Sequence, residues 1–106
     1  MNTNEKIATW LGMKKLTKNA YERKIDGGYK YYFLDFLHDR NQQKWIIDEI
    51  IKRGYGIEMT YLLKVKEWSV NIYDIYLHDV AAFCDKDLDL AFLEAIEQLI
   101  DKENER

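Results

Sequence analysis

The sequence predicts an α+β fold, a small antiparallel three-stranded β-meander packed with three helices in the order α-α-β-β-β-α. Apolar residues recur at helical spacing near the start, the middle and the end of the chain, and between the last two of these segments the period becomes two. The chain has 106 residues, 47% of them apolar and 33% charged, which is typical of one globular domain. We predict that residues 1–106 form one domain. It consists of an N-terminal helix (1–12), a basic aromatic connector (13–38), and a segment that contains the second helix, the β-meander and the C-terminal helix (39–106).

The first helix is predicted from about Asn4 to Leu11. Ile7, Trp10 and Leu11 follow the i, i+3, i+4 spacing of one apolar stripe, and polar residues before them supply capping oxygens. Gly12 can adopt the left-handed conformation that ends a helix. A helix this short needs tertiary packing to be stable.

The connector shows no clear period and is predicted to be mostly irregular. Gly27-Gly28 indicates a turn, and the aromatic residues from Tyr29 to Phe33 indicate a short strand or extended segment.

The second helix is predicted to begin after Asp39 and to end at Gly54. Asp39 followed three residues later by Gln42 resembles a capping box, in which Asp39 accepts from backbone amides and Gln42 reaches back. Lys52 and Arg53 in the last turn complement the negative end of the helix dipole.

Residues 56–72 alternate between apolar and polar side chains, with a tight turn at Lys66-Glu67, as in a half-buried hairpin. After Ile72 the phase of the alternation slips, which indicates either a bulge or a loop. We prefer a loop over residues 74–78, followed by a short strand over Val80–Cys84.

The last helix is the clearest element. Its apolar residues from Leu88 to Ile100 form one unbroken stripe. Asp85, Asp87 and Asp89 lie at its start, where carboxylates cap free amides and suit the helix dipole.

Cysteine content and hydropathy predict a cytoplasmic protein. Cys84 is the single cysteine, so no intrachain disulfide can form, which fits a reducing compartment. The N-terminal residues lack the apolar run of a signal peptide, and no stretch approaches the roughly 20 apolar residues of a membrane span.

The charge is unevenly distributed. Residues 13–30 carry six basic and two acidic side chains, a net charge of +4, whereas residues 79–106 carry three basic and nine acidic ones, a net charge of −6. The total of −3 makes nucleic acid an unexpected partner, because duplex binding depends on neutralising phosphates. The basic segment still suits a local anionic patch on a partner.

No catalytic residues, metal site or cofactor are predicted, and we do not expect an enzyme. His38-Asp39 and His78-Asp79 could each supply metal ligands, but the chain has only two histidines, and helix-cap and loop roles are favoured. The segment from Asp85 imitates a calcium loop but has Leu90 at the sixth position and Ile96 at the twelfth, so its aspartates are interpreted as caps. Nothing in the sequence activates Cys84 as a nucleophile.

Four phrases, NEKIATWLG, DFLHDRN, WSVNIYD and DLDLAFLEAI, together resemble small phage-encoded proteins of the α-β-α (ABA) sandwich domain family. The resemblance covers most of the chain. It implies an accessory protein in the cytoplasm of a bacterial host, with no assigned activity and no functional residues to carry over. The longer basic connector and the apolar segment Ile75-Tyr76-Leu77 depart from the family pattern.

Two regions are candidates for binding. One is the connector, which interleaves basic and aromatic residues that are frequent in binding surfaces; filling of the core by its rings is the competing interpretation. The other is the segment from Tyr73 to Leu77, whose apolar side chains cannot all point inward. The candidate residues are Lys14, Lys15, Lys18, Tyr21, Arg23, Lys24, Tyr29, Lys30, Tyr31, Tyr32, Tyr73 and Tyr76.

The preferred functional hypothesis is a protein-interaction module that binds another protein, a host or defence component. The alternative is binding or sequestration of a nucleotide or another small anionic ligand under the connector. Self-association into a homodimer through an uncovered sheet face or edge is compatible with both hypotheses.

Overall fold

A computed structural model describes residues 2–105, in which three helices and two three-stranded antiparallel sheets follow the order α-β-β-β-α-β-β-β-α. The predicted α+β class with three helices is confirmed, but the meander is only one of two sheets. Met1 and Arg106, which the predicted domain bounds include, lie outside the described residues. The elements are α1 (Thr3–Trp10), β1 (Lys14–Lys15), β2 (Ala20–Ile25), β3 (Gly28–Phe33), α2 (Arg40–Lys52), β4 (Gly56–Leu62), β5 (Glu67–Tyr73), β6 (Asp79–Asp85) and α3 (Leu88–Asn104).

The prediction of a mostly irregular connector is wrong, because residues 14–33 form a complete antiparallel sheet, here called the connector sheet. β2 and β3 make a hairpin with a two-residue turn at Asp26-Gly27, and β1 pairs with the other side of β2. The strand period was hidden because β3 carries aromatic rings on both of its faces and β2 carries charges on both.

The helix boundaries follow the predicted signals. The side chains of Asn2, Asp39 and Asp87 each accept hydrogen bonds from backbone amides of the first turn, at 2.8–3.3 Å. The chain leaves α1 and α2 through Gly12 and Gly54, whose φ angles of +76° and +88° are left-handed.

The predicted capping box is wrong in the role of Gln42. It does not reach back to Asp39; its Nε2 donates to the carbonyl of Phe33 at 2.9 Å and its Oε1 accepts from the amide of Asp35 at 2.8 Å. The amide of Asp39 donates instead to the Asp35 carbonyl at 2.9 Å. Gln42 is buried, so its amide group fixes the end of β3 against the start of α2.

The second sheet, here called the meander sheet, consists of β4, β5 and β6 in that order. α3 packs on the face that carries the buried side chains of Val70, Ile72 and Ala81. The predicted loop over residues 74–78 is confirmed, and β6 extends the predicted strand by one residue at each end. The ladder also shifts register after Ile72, because Tyr73 pairs with Asp79.

The turn between β4 and β5 differs from the prediction. β4 ends at Leu62, which pairs with Glu67, and residues 63–66 form the turn. Leu63 and Val65, assigned to the strand from the alternation, therefore lie exposed in the turn.

A single carboxylate joins the three helices. Glu103 of α3 accepts hydrogen bonds from the indole of Trp10 at 2.8 Å, the guanidinium of Arg53 at 2.8 Å and the hydroxyl of Tyr55 at 3.0 Å. The Arg53 guanidinium also lies 4.6 Å from the centroid of the Trp10 ring. Because these residues come from three distant parts of the chain, the network fixes the ends of α1 and α2 against α3.

Candidate functional site

The inner face of the connector sheet packs against α2 and has a structural role. Tyr21 is buried in the core, and the ring of Tyr32 meets Trp45 of α2 edge-on, with centroids 4.6 Å apart. The Arg23 guanidinium lies 4.5 Å from the Trp45 centroid, and the Lys30 ammonium lies 5.6 Å from that of Tyr32. Tyr32 and Arg23 therefore hold the sheet on the helix through Trp45, and Lys30, which is exposed, contacts the Tyr32 ring of its own strand.

The outer face of the connector sheet carries exposed rings. Tyr29, Tyr31 and Phe33 alternate along β3 and are 63%, 66% and 78% exposed. In the strand register, Lys24 lies opposite Tyr29 and Glu22 lies opposite Tyr31. The predicted connector residues therefore lie on two faces of the sheet. The aromatic ones on the inner face pack on the rest of the fold, and those on the outer face are exposed to solvent.

Lys15 and Lys18 lie at the margin of the sheet. The Lys15 ammonium is 3.7 Å from the carboxylate of Glu5, an exposed ion pair. Lys18 lines a groove of about 120 Å³ beside the connector, together with Glu5 and Tyr21. Pockets for drug-sized ligands have volumes of about 300–1,000 Å³, so this groove is small for a nucleotide.

A cavity of about 480 Å³ between α1 and α3 is large enough for a small ligand and is lined by Lys6 and Arg53. Both cations already have carboxylate partners. The hydrogen bond to Asp101 raises the pKa of Lys6, and Arg53 is paired with Glu49 and Glu103, each at 2.7–2.8 Å. The cavity therefore offers little uncompensated positive charge to an anion.

The loop between β5 and β6 exposes three consecutive apolar side chains. Ile75, Tyr76 and Leu77, here called the apolar loop, are 74%, 72% and 77% exposed. This outcome matches the prediction that the side chains of this segment cannot all point inward. A contiguous exposed apolar patch is characteristic of a contact surface.

Asp74 holds the backbone of the apolar loop. Its Oδ1 accepts hydrogen bonds from the amides of Tyr76 at 2.9 Å and His78 at 3.1 Å. Its own amide donates to the His78 carbonyl at 3.0 Å, and its carbonyl accepts from the Leu77 amide at 3.0 Å. These amide hydrogen bonds, led by that from His78, lower the pKa of Asp74 from its ordinary value.

Leu77 has a left-handed backbone with φ of +63°. For a residue other than glycine this conformation costs about 1–2 kcal/mol, because Cβ approaches the following carbonyl oxygen. The Asp74 hydrogen bonds hold the loop backbone, including Leu77, in this conformation.

Tyr73 has a structural role that the sequence did not reveal. It pairs with Gly56 across β4 and β5, and its ring covers the glycine so closely that a Cβ there would overlap it. Tyr73 is half-buried, so of the two tyrosines predicted in this segment only Tyr76 is presented openly to solvent.

The histidine and aspartate motifs act locally. His38 Nδ1 lies 3.0 Å from Asp35, and His78 Nδ1 lies 3.9 Å from Asp74. Across residues 2–105, no three His, Cys, Asp or Glu side chains are grouped so that they could hold a metal ion. Cys84 is an exposed thiol on β6.

Three residues of the exposed surfaces were not singled out individually as candidates: Phe33, Ile75 and Leu77. The organising role of Asp74 was also missed. An aspartate directly before a short loop is a known turn signal, since its carboxylate can accept from the amide two residues on.

No family model, curated protein or solved structure matches this chain. Among residues 2–105, none of the helices combines the length and the hydrophobicity of a membrane span.

Proposed function

We propose that this chain is a non-enzymatic protein-interaction module that binds its partner through the apolar loop. The observation that supports the proposal is the exposure of Ile75, Tyr76 and Leu77 on a backbone held by Asp74. Burying one large apolar side chain stabilises a fold by about 1.5–3 kcal/mol. In this chain three consecutive apolar side chains stay exposed and do not contribute this stabilisation. A partner that covers the loop would recover it.

The geometry of the loop also favours tight recognition. Association loses free energy when flexible segments must be ordered, and a loop already fixed in its bound form avoids much of that cost. Leu77 supports this argument, because asparagine or glycine would suit its φ of +63° better than leucine does. The side chain at this position is therefore better explained by contact with a partner than by folding.

Affinity capture from the cells that naturally produce the protein tests the proposal. One variant of the protein used for capture combines Ile75→Ser, Tyr76→Ser and Leu77→Asn. The control variant is Ile51→Ser, which replaces an apolar residue of α2 that is 62% exposed. We expect a partner that is retained by the wild type and by Ile51→Ser but lost with the triple variant. Equal capture by all three baits would refute the proposal.

The resemblance to phage proteins makes a host or defence component the expected partner, and that identity stays a prediction. Sedimentation of the purified wild type separates this hypothesis from self-association. If the wild type forms a dimer and the triple variant does not, the apolar loop is the contact between two copies of the chain.

A further inference from the structure

The outer face of the connector sheet is a second surface, distinct from the apolar loop. Tyr29, Tyr31 and Phe33 occupy every second position of β3, so successive rings are attached roughly 6.8 Å apart along the strand. All three are more than 60% exposed, and within residues 2–105 the chain covers them with no other element.

The charge around this row is locally positive. The register places Lys24 opposite Tyr29 and places Lys14 beside Glu22 on the same face. Neither lysine forms an ion pair within the described part of the chain. Among the paired strand residues of the outer face, these two lysines stand against one acidic residue, Glu22, which gives the face a net charge of +1 in a chain whose total is −3.

We propose that this face binds single-stranded nucleic acid, with bases stacked on Tyr29, Tyr31 and Phe33 and phosphates near Lys14 and Lys24. Stacked bases are about 3.4 Å apart, so two neighbouring rings at twice that spacing leave room for one base between them. An acidic peptide would satisfy the lysines but would leave three exposed rings without flat partners. A duplex hides its base faces, which confines the proposal to single strands.

Glu22 limits the affinity of this face. Glu22 pairs with Tyr31 in the strand register and lies on the same face, so its negative charge would repel a phosphate that follows the row of rings. Replacing it by glutamine keeps its shape and removes the repulsion. Glu22→Gln should therefore strengthen binding, a gain that a purely structural role of Glu22 would not produce.

The test is fluorescence anisotropy with a labelled oligothymidylate of about 12 nucleotides, titrated with the full chain at several salt concentrations. Tyr31→Ala and Phe33→Ala should each weaken binding about tenfold, because each removes one stacking surface. Lys24→Gln should reduce the slope of log affinity against log salt by about 0.7, the loss of one phosphate contact. Leu63→Ala, which removes an 81% exposed apolar side chain from the turn between β4 and β5, should leave the affinity unchanged.

Several results would overturn the proposal. One is absence of binding at low salt, and another is binding that Tyr31→Ala and Phe33→Ala leave unchanged. Equal affinity for a duplex of the same length would show that charge alone is recognised. Equally effective competition by an oligoglutamate peptide would assign the face to an acidic protein instead. Circular dichroism of each variant confirms that the fold is retained.

Discussion

The carboxylate of Asp74 accepts a hydrogen bond from the amide of Tyr76 at 2.9 Å, so a charged group fixes the most exposed apolar segment of the meander sheet. The same oxygen accepts from the His78 amide at 3.1 Å, which closes the loop at its other end. The ionised carboxylate of Asp74 therefore adds two hydrogen bonds to the main-chain bonds that close the apolar loop.

The first prediction concerns acid. The pKa of Asp74 is lowered from 3.8 by the amide of His78 and then by that of Tyr76, so its contribution to loop stability is present above pH 3.8. That contribution is lost as the pH falls through the lower pKa of the folded state. In an NMR titration, the amide shifts of Tyr76 and His78 should change together, with a midpoint below 3.8. A midpoint at or above the ordinary value would show that the carboxylate does not hold the loop.

The second prediction separates stability from binding at Leu77. Leu77→Asn should raise the free energy of unfolding by about 1 kcal/mol, because asparagine tolerates the left-handed backbone. The same change should weaken partner binding, because it removes an apolar contact. Urea denaturation measures the first effect and affinity capture the second.

Leu63→Asn is the matched control for Leu77→Asn. Leu63 is 81% exposed in the other turn of the meander sheet and does not have a positive φ. We expect no gain of stability from this change. An equal gain at both positions would mean that removal of exposed leucine, and not relief of backbone strain, stabilises the protein.

The third prediction tests the packing of Tyr73 on Gly56. Gly56→Ala should destabilise the protein by about 1–3 kcal/mol, since the new methyl group overlaps the ring. In the Tyr73→Ala background the ring is absent, and the added cost of Gly56→Ala should largely disappear. Urea denaturation of the four proteins gives the coupling free energy. Additive losses would show that the ring does not cover the glycine.

The fourth prediction compares two neighbouring basic residues of β2. Arg23→Gln should cost about 1 kcal/mol of stability, because its guanidinium lies 4.5 Å from the Trp45 centroid. Lys24→Gln should change stability by less than about 0.5 kcal/mol, since its side chain is exposed on the outer face. Thermal or urea unfolding of both variants checks the difference. Equal losses would contradict the assignment of the two faces.

The helices and the meander sheet could be predicted because their signals are local. Asp39 and Asp87 cap helices directly after them, and the alternation through β5 has one apolar and one polar face. The connector sheet gave no such contrast. Tyr31 and Tyr32 are adjacent aromatic residues on opposite faces, and only the distant Trp45 determines which of them is covered.

The candidate sites were predicted as regions but not as individual roles. The sequence indicated that the segment from Tyr73 to Leu77 must expose apolar side chains. It could not show that Tyr73 turns toward Gly56, because that contact depends on the register of β4 and β5. The sequence also could not show that Arg23 packs against Trp45 of α2 whereas its neighbour Lys24 is exposed on the outer face.

The most direct test of the central claim is site-specific photo-crosslinking in the cells that naturally produce the protein. A photoreactive phenylalanine analogue replaces Tyr76, and in separate controls it replaces Ile51 or Tyr31. If the apolar loop is the protein-binding surface, position 76 gives a discrete crosslinked protein that neither control gives. Absence of that product at position 76, or the same product at position 51, would contradict the proposed function.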